Sequence, residues 1–72
     1  MTIADILKIV KTAVIERENY PFLRLGQSLY NTLYKTYPEI ADEINSKCVD
    51  PFYQDDVIPA FLAYLFAKVK ND

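Results

Sequence analysis

Apolar positions recur along the chain at helical rather than strand spacing. Ile3, Ile6, Leu7, Val10, Ala13 and Val14 follow one another mostly at intervals of three and four, with Lys8, Lys11, Thr12 and Glu16 largely between them. That spacing predicts an amphipathic helix over 3–17. Thr2 stands where an N-cap is wanted, and Asp5 falls in the first turn, where the helix dipole favours an acid. Glu18-Asn19-Tyr20-Pro21 interrupts the pattern, because a residue before proline is disfavoured in helical geometry.

A second helix is expected over 22–36, with Phe22, Leu25, Leu29 and Leu33 as its buried stripe and Tyr30 beside it. Arg24, Gln27, Asn31 and Lys35 make a parallel polar stripe. Gly26 interrupts this helix at a cost of up to about 1 kcal/mol relative to alanine. Two explanations stand: close approach of a helix or loop, or a functional contact. Tyr37-Pro38 ends the second helix and starts a short third one over 38–46, with Ile40, Ala41 and Ile44 inward and Glu39, Asp42 and Glu43 outward.

Residues 47–55 form the longest irregular stretch. Asp50-Pro51 reads as a cap and a first-turn proline, with one helical turn expected over Phe52-Tyr53-Gln54. Asp55 or Asp56 is the expected cap of a fourth helix over 56–70, which tolerates Pro59 in its first turn and ends on Lys68 and Lys70. Ile58, Phe61, Leu62, Leu65 and Val69 give that helix a strong stripe, widened by Ala60, Ala63, Tyr64, Phe66 and Ala67 to nearly its whole circumference. A helix apolar on most sides is either central or covered by a partner. The expected fold is therefore all-α, a compact bundle of about four helices in one domain over 1–72.

Composition sharpens this picture. A chain of 72 residues buries only about 60% of the surface its unfolded form exposes, so it needs a rich core. Hydrophobic residues make up 51% of it, including six Tyr and four Phe, with a single Gly. The longest apolar run, Val57 to Ala67, falls short of the roughly 20 residues that span a bilayer. No secretory signal pattern opens the chain, and Cys48 is a lone thiol. No membrane association and a cytoplasmic location are the resulting expectations.

The absences also exclude chemistries. Without histidine the chain lacks the commonest general base and transition-metal ligand, and one glycine cannot build a phosphate-binding loop. Nothing activates Cys48 as a nucleophile, so it reads as a buried or half-buried structural thiol. Asp55 and Asp56 read as caps rather than an acid–base pair. The chain is expected not to be an enzyme, with no catalytic residue, no cofactor and no metal.

The net charge of −2 is unevenly spread. Residues 38–56 hold six acids and one base, a local balance of −5, while the remainder balances at +3. Tyr34 and Tyr53 accompany those acids as candidate contact anchors, since tyrosine is enriched at interfaces. Arg24 and Gln27 admit two readings. They can hold the Asp50–Tyr53 loop, Arg24 through an acid and Gln27 through loop backbone, or they can form an exposed recognition pair.

The run Arg24-Leu25-Gly26-Gln27-Ser28-Leu29-Tyr30-Asn31, with Tyr37-Pro38 and then Asp50-Pro51-Phe52-Tyr53-Gln54-Asp55-Asp56, resembles a set of small, mostly uncharacterised helical proteins encoded by phages and prophages. The resemblance covers residues 24–62, implies a phage-type context and a bacterial host, and carries no activity with it. The expected function is protein–protein interaction, as an inhibitor of a host protein in anti-defence or host takeover. Glu39, Asp42, Glu43, Asp50, Tyr53, Asp55, Tyr34, Arg24 and Gln27 are the candidate partner-binding residues. The expected partner is a protein with a basic surface. The alternative is a self-associating structural or accessory protein that forms a homodimer through leftover apolar surface. Nucleic acid is disfavoured, because Lys8, Lys11 and Arg17 lack an aromatic stacking platform.

Overall fold

The computed structural model describes residues 1–69. Four α-helices follow in order: α1 (Ile3–Asn19), α2 (Leu25–Thr36), α3 (Pro38–Ser46) and α4 (Ile58–Ala67). A 3₁₀ turn at Asp55–Val57 leads into α4, and there is no strand among the described residues. The chain is an all-α bundle.

The start of α1 is a reciprocal cap. Thr2 Oγ1 accepts from the Asp5 backbone N–H at 3.2 Å, and the Asp5 carboxylate accepts from the Thr2 backbone N–H at 2.8 Å. Two otherwise orphan donors are thereby satisfied. The helix runs two residues beyond the expected end, until Tyr20 leaves helical geometry before Pro21.

At the start of α2 the expectation is corrected. The helix begins at Leu25 rather than residue 22, because Pro21 opens a turn that Leu23 N–H closes on the Tyr20 carbonyl at 3.0 Å. Phe22 therefore projects outward, 80% exposed, instead of joining the buried stripe.

α3 ends with Cys48 in the left-handed region at φ 60°. Val49 N–H reaches back to the Ile44 carbonyl at 3.4 Å, a helix-terminating wrap that places Val49 against the core. Cys48 is exposed on this wrap, not buried as the composition implied, because its backbone role turns the side chain away from the packed face.

α2 is the hub, packing most extensively on α1 and next on α3. Ala13 and Ser28 make the α1–α2 approach close: both are fully buried, and Ser28 Oγ donates to the Ala13 carbonyl at 2.8 Å. Ile6, Ile9, Leu29, Leu33, Ala41, Ile44, Phe61 and Leu65 complete the core. Ile3, Leu7 and Val14, expected on the buried stripe, stay exposed. The apolar arc of α1 is wider than its neighbours can cover, so Ile9 is buried and Leu7 is left 62% exposed.

α4 buries the Phe61 and Leu65 stripe but is not central, and Ala60, Ala63, Phe66 and Ala67 face outward. Lys68 forms its C-cap, while Lys70, the expected last residue of the helix, lies outside the described residues. No helix among the described residues is long and apolar enough to cross a membrane.

Candidate functional site

The loop between α3 and the 3₁₀ turn is clamped onto the N-terminus of α2. Asp50 Oδ1 accepts from Phe52 N–H at 2.8 Å, so Asp50 closes a local turn around Pro51, which is fully buried. Phe52 and Tyr53 form a bend rather than the expected helical turn over 52–54, because this stretch is held to α2 instead of bonding to itself. Arg24 donates from Nη2 to the Phe52 carbonyl. It thus holds the loop as expected, but through backbone rather than through an acid. Gln27 is half-buried in the first turn of α2 and makes no side-chain hydrogen bond among the described residues.

Asp55 caps α2 rather than α4. Its Oδ1 accepts from Gly26 N–H at 2.9 Å, across 29 positions of sequence. The first turn of α2 has no acid of its own and no capping side chain at Arg24. Asp55 therefore supplies both the missing acceptor and a negative charge at the positive end of the helix dipole. Gly26 is what lets the loop come this close. A β-carbon there would overlap the Pro51 carbonyl oxygen and lie 2.8 Å from Asp55 Oδ1.

Clamping the loop lines up four aromatic rings. Tyr34 and Tyr30, one turn apart on α2, have centroids 6.3 Å apart. Tyr30 meets Phe52 edge-on at 5.9 Å and 84°, and Phe52 meets Tyr53 at 4.8 Å and 69°. Tyr30 and Phe52 are half-buried, whereas Tyr34 and Tyr53 are 53% and 76% exposed. Burial pushes the Tyr30 hydroxyl above the ordinary phenol range, and the charges of Asp50, then Asp42, push it further. The carboxylates of Asp50 and Asp42 thus act on the ring ladder from α3 and the loop.

The remaining candidates lie elsewhere. Glu43 points to α4: it pairs with Lys68 Nζ at 2.8 Å and accepts from the Tyr64 hydroxyl at 3.3 Å. The bond to Lys68 holds the Glu43 carboxyl below the usual carboxylate range. Glu39 is exposed in the first turn of α3, beside a shallow hollow shared with Thr36 and Ile40. The structure therefore joins Arg24, Asp50, Tyr53 and Asp55 at the clamped loop, with Tyr34 at the far end of the ladder, leaves Asp42 exposed on α3, and separates Glu39 and Glu43 from the loop.

Tyr30, expected beside the buried stripe of the second helix, and Phe52, expected in a helical turn, are not among the candidate contact residues, yet they are the inner rungs of the ladder. The spacing of Tyr30 and Tyr34, one helical turn apart, was the available signal.

A larger hollow of about 460 Å³ lies between α1 and α2, lined by Lys8, Thr12, Glu16, Lys35 and Tyr37 among others. Its lysines are exposed, its charges are of both signs, and they select no ligand charge. Among the described residues no three His, Cys, Asp or Glu side chains gather to hold a metal ion. No known protein family matches the chain, and neither a curated protein nor a solved structure is significantly similar to it.

Proposed function

We propose that the protein is a non-enzymatic interaction module that presents an acidic, tyrosine-bearing surface to a basic surface of a protein partner. The observation that carries this reading is the ring ladder from Tyr34 to Tyr53, presented by a loop that Asp50 closes within the acidic segment 38–56. Large amphipathic rings flanked by one sign of charge are suited to protein contact, and the charge speeds encounter with a basic partner. In the phage-type context, which rests on the resemblance of residues 24–62 alone, the module would inhibit a host protein in the bacterial cytoplasm by covering a basic patch. Anti-defence and host takeover are the roles this serves.

Affinity capture from a bacterial lysate, at moderate and at high salt, tests the reading. Asp42→Lys is the informative variant, because Asp42 is exposed, whereas Glu43 is tied to Lys68 within the fold. One stoichiometric partner that is lost at high salt and lost with Asp42→Lys supports the reading. Capture indifferent to both removes it.

The exposed apolar residues of α1 and α4, Ile3, Leu7, Val14 and Phe66, favour a second reading, self-association into a homodimer. Sedimentation at low micromolar concentration decides it, and a strict monomer rules it out.

A further inference from the structure

The ring ladder has a chemistry more specific than general attraction to positive charge. We infer that it is a docking surface for arginine side chains of a basic protein segment, with guanidinium groups stacked on Tyr34 and Tyr53 and hydrogen-bonded toward Asp50, whose carboxylate closes the loop at Phe52. The inference rests on the interaction reading above and narrows its partner.

Three observations support it. First, the ladder offers open ring faces. Edge-to-face contacts use the edge of one ring against one face of the next, and the outer rings remain 53% and 76% exposed. Second, the local charge is negative and two of the cations around it are engaged: Arg24 donates to the Phe52 carbonyl, and Lys68 is paired with Glu43. With Glu43 paired to Lys68 and Glu39 set apart, Asp42, Asp50, Asp55 and Asp56 still give this stretch an acidic excess, which repels a phosphate backbone and so disfavours stacked nucleotide bases as the occupant. Third, the platform is pre-organised. Pro51 is buried, Asp50 and Arg24 fix Phe52 at its two backbone groups, and Asp55 fixes the next turn to Gly26. Little ordering then remains to be done when a partner docks.

The choice between the two basic side chains follows from their hydration. An ammonium is a compact, strongly hydrated charge that gains little from an aromatic face in water. A guanidinium is planar and weakly hydrated, stacks on a ring, and still donates in its plane to carboxylates at the rim.

The test uses the full chain and three labelled peptides of equal length, with glycine–serine spacers and four arginines, four lysines or four citrullines. Binding is read by fluorescence anisotropy at about 0.1 M salt, where attraction beyond about 10 Å is screened. The arginine peptide is expected to bind about tenfold more tightly than the lysine peptide. The citrulline peptide, which keeps the shape and loses the charge, is expected not to bind. The double variant Tyr34→Ala with Tyr53→Ala is expected to reduce arginine affinity to the lysine level. Tyr34→Phe with Tyr53→Phe is expected to retain it, and circular dichroism confirms that each variant remains helical.

Equal affinity for arginine and lysine, no effect of removing the rings, or no binding of the arginine peptide would each overturn the inference. If arginine and lysine peptides bind equally and Asp42→Lys abolishes both, the basic-partner reading survives without the arginine preference. If no cationic peptide binds and lysate capture is indifferent to Asp42→Lys, both fall.

Discussion

Gly26 shows how two opposite effects compete at one position. In an isolated helix, alanine would be favoured over glycine by about 1 kcal/mol. Here the added methyl group would collide with the Pro51 carbonyl and crowd Asp55, and both belong to backbone or to a cap that cannot swing away freely. Such overpacking costs about 1–3 kcal/mol, plus the capping bond if the loop is displaced. Gly26→Ala is therefore expected to destabilise by about 2 kcal/mol in urea unfolding. An unchanged or raised midpoint would mean that the loop is not seated on α2. Cys48 is the converse case. A residue with a β-carbon occupies the left-handed position that glycine usually fills, at a cost of roughly 1 kcal/mol.

Among the elements, α2 depends most on its surroundings. Its N-terminus has no cap from its own sequence and borrows Asp55 from the segment that precedes α4. Asp55→Ala is expected to cost about 1 kcal/mol in urea unfolding and to speed hydrogen exchange in the first turn of α2. Asp55→Asn keeps an acceptor and is expected to lose only a few tenths of a kcal/mol, the part owed to charge at the dipole. Equal losses in the two variants would mean that charge rather than the hydrogen bond caps the helix. The same clamp presents the ladder, so Asp55→Ala also tests whether ring placement follows loop placement. α1, by contrast, closes its own N-terminus through Thr2 and Asp5 and needs no distant partner there.

For the whole molecule, stability is expected to hold a plateau in pH with a fall on each side. Asp5 is held below its ordinary value first by the Thr2 backbone hydrogen bond, and Glu43 first by its bond to Lys68. A depressed carboxylate contributes fully above its unfolded value, near pH 4, and loses that contribution as pH falls through the folded one. On the alkaline side the bond to Glu43 raises Lys68, while burial raises Tyr30 and Tyr37. Their contributions are complete below about pH 10 and are lost as pH rises through the folded values. With no histidine in the chain, no side chain of ordinary pKa changes charge between about pH 5 and 8. Melting temperatures across pH 3–11 check this, and Glu43→Gln is expected to flatten the acid flank in part. A steep change near neutral pH would contradict it.

The features legible in the sequence are the local ones. Helical periodicity, Thr2 with Asp5, and the prolines at 21, 38 and 59 act within a turn or two of the chain, so they place four helices and half of their ends without reference to any distant contact. The acidic bias of residues 38–56 and the candidate tyrosines were visible on the same terms. What tertiary structure decided depends on partners far apart in sequence. The bond from Arg24 to Phe52 spans 28 positions and that from Gly26 to Asp55 spans 29. No local pattern encodes which loop will meet which helix end, so the reason for Gly26 and the true role of Asp55 could not be read in advance. Likewise, an apolar arc wider than its neighbours, as on α1, does not say which part they will cover. Only tertiary packing decided that Ile9 is buried and Leu7 is not, and only the seated loop drew Tyr30 and Phe52 into one surface with Tyr34 and Tyr53.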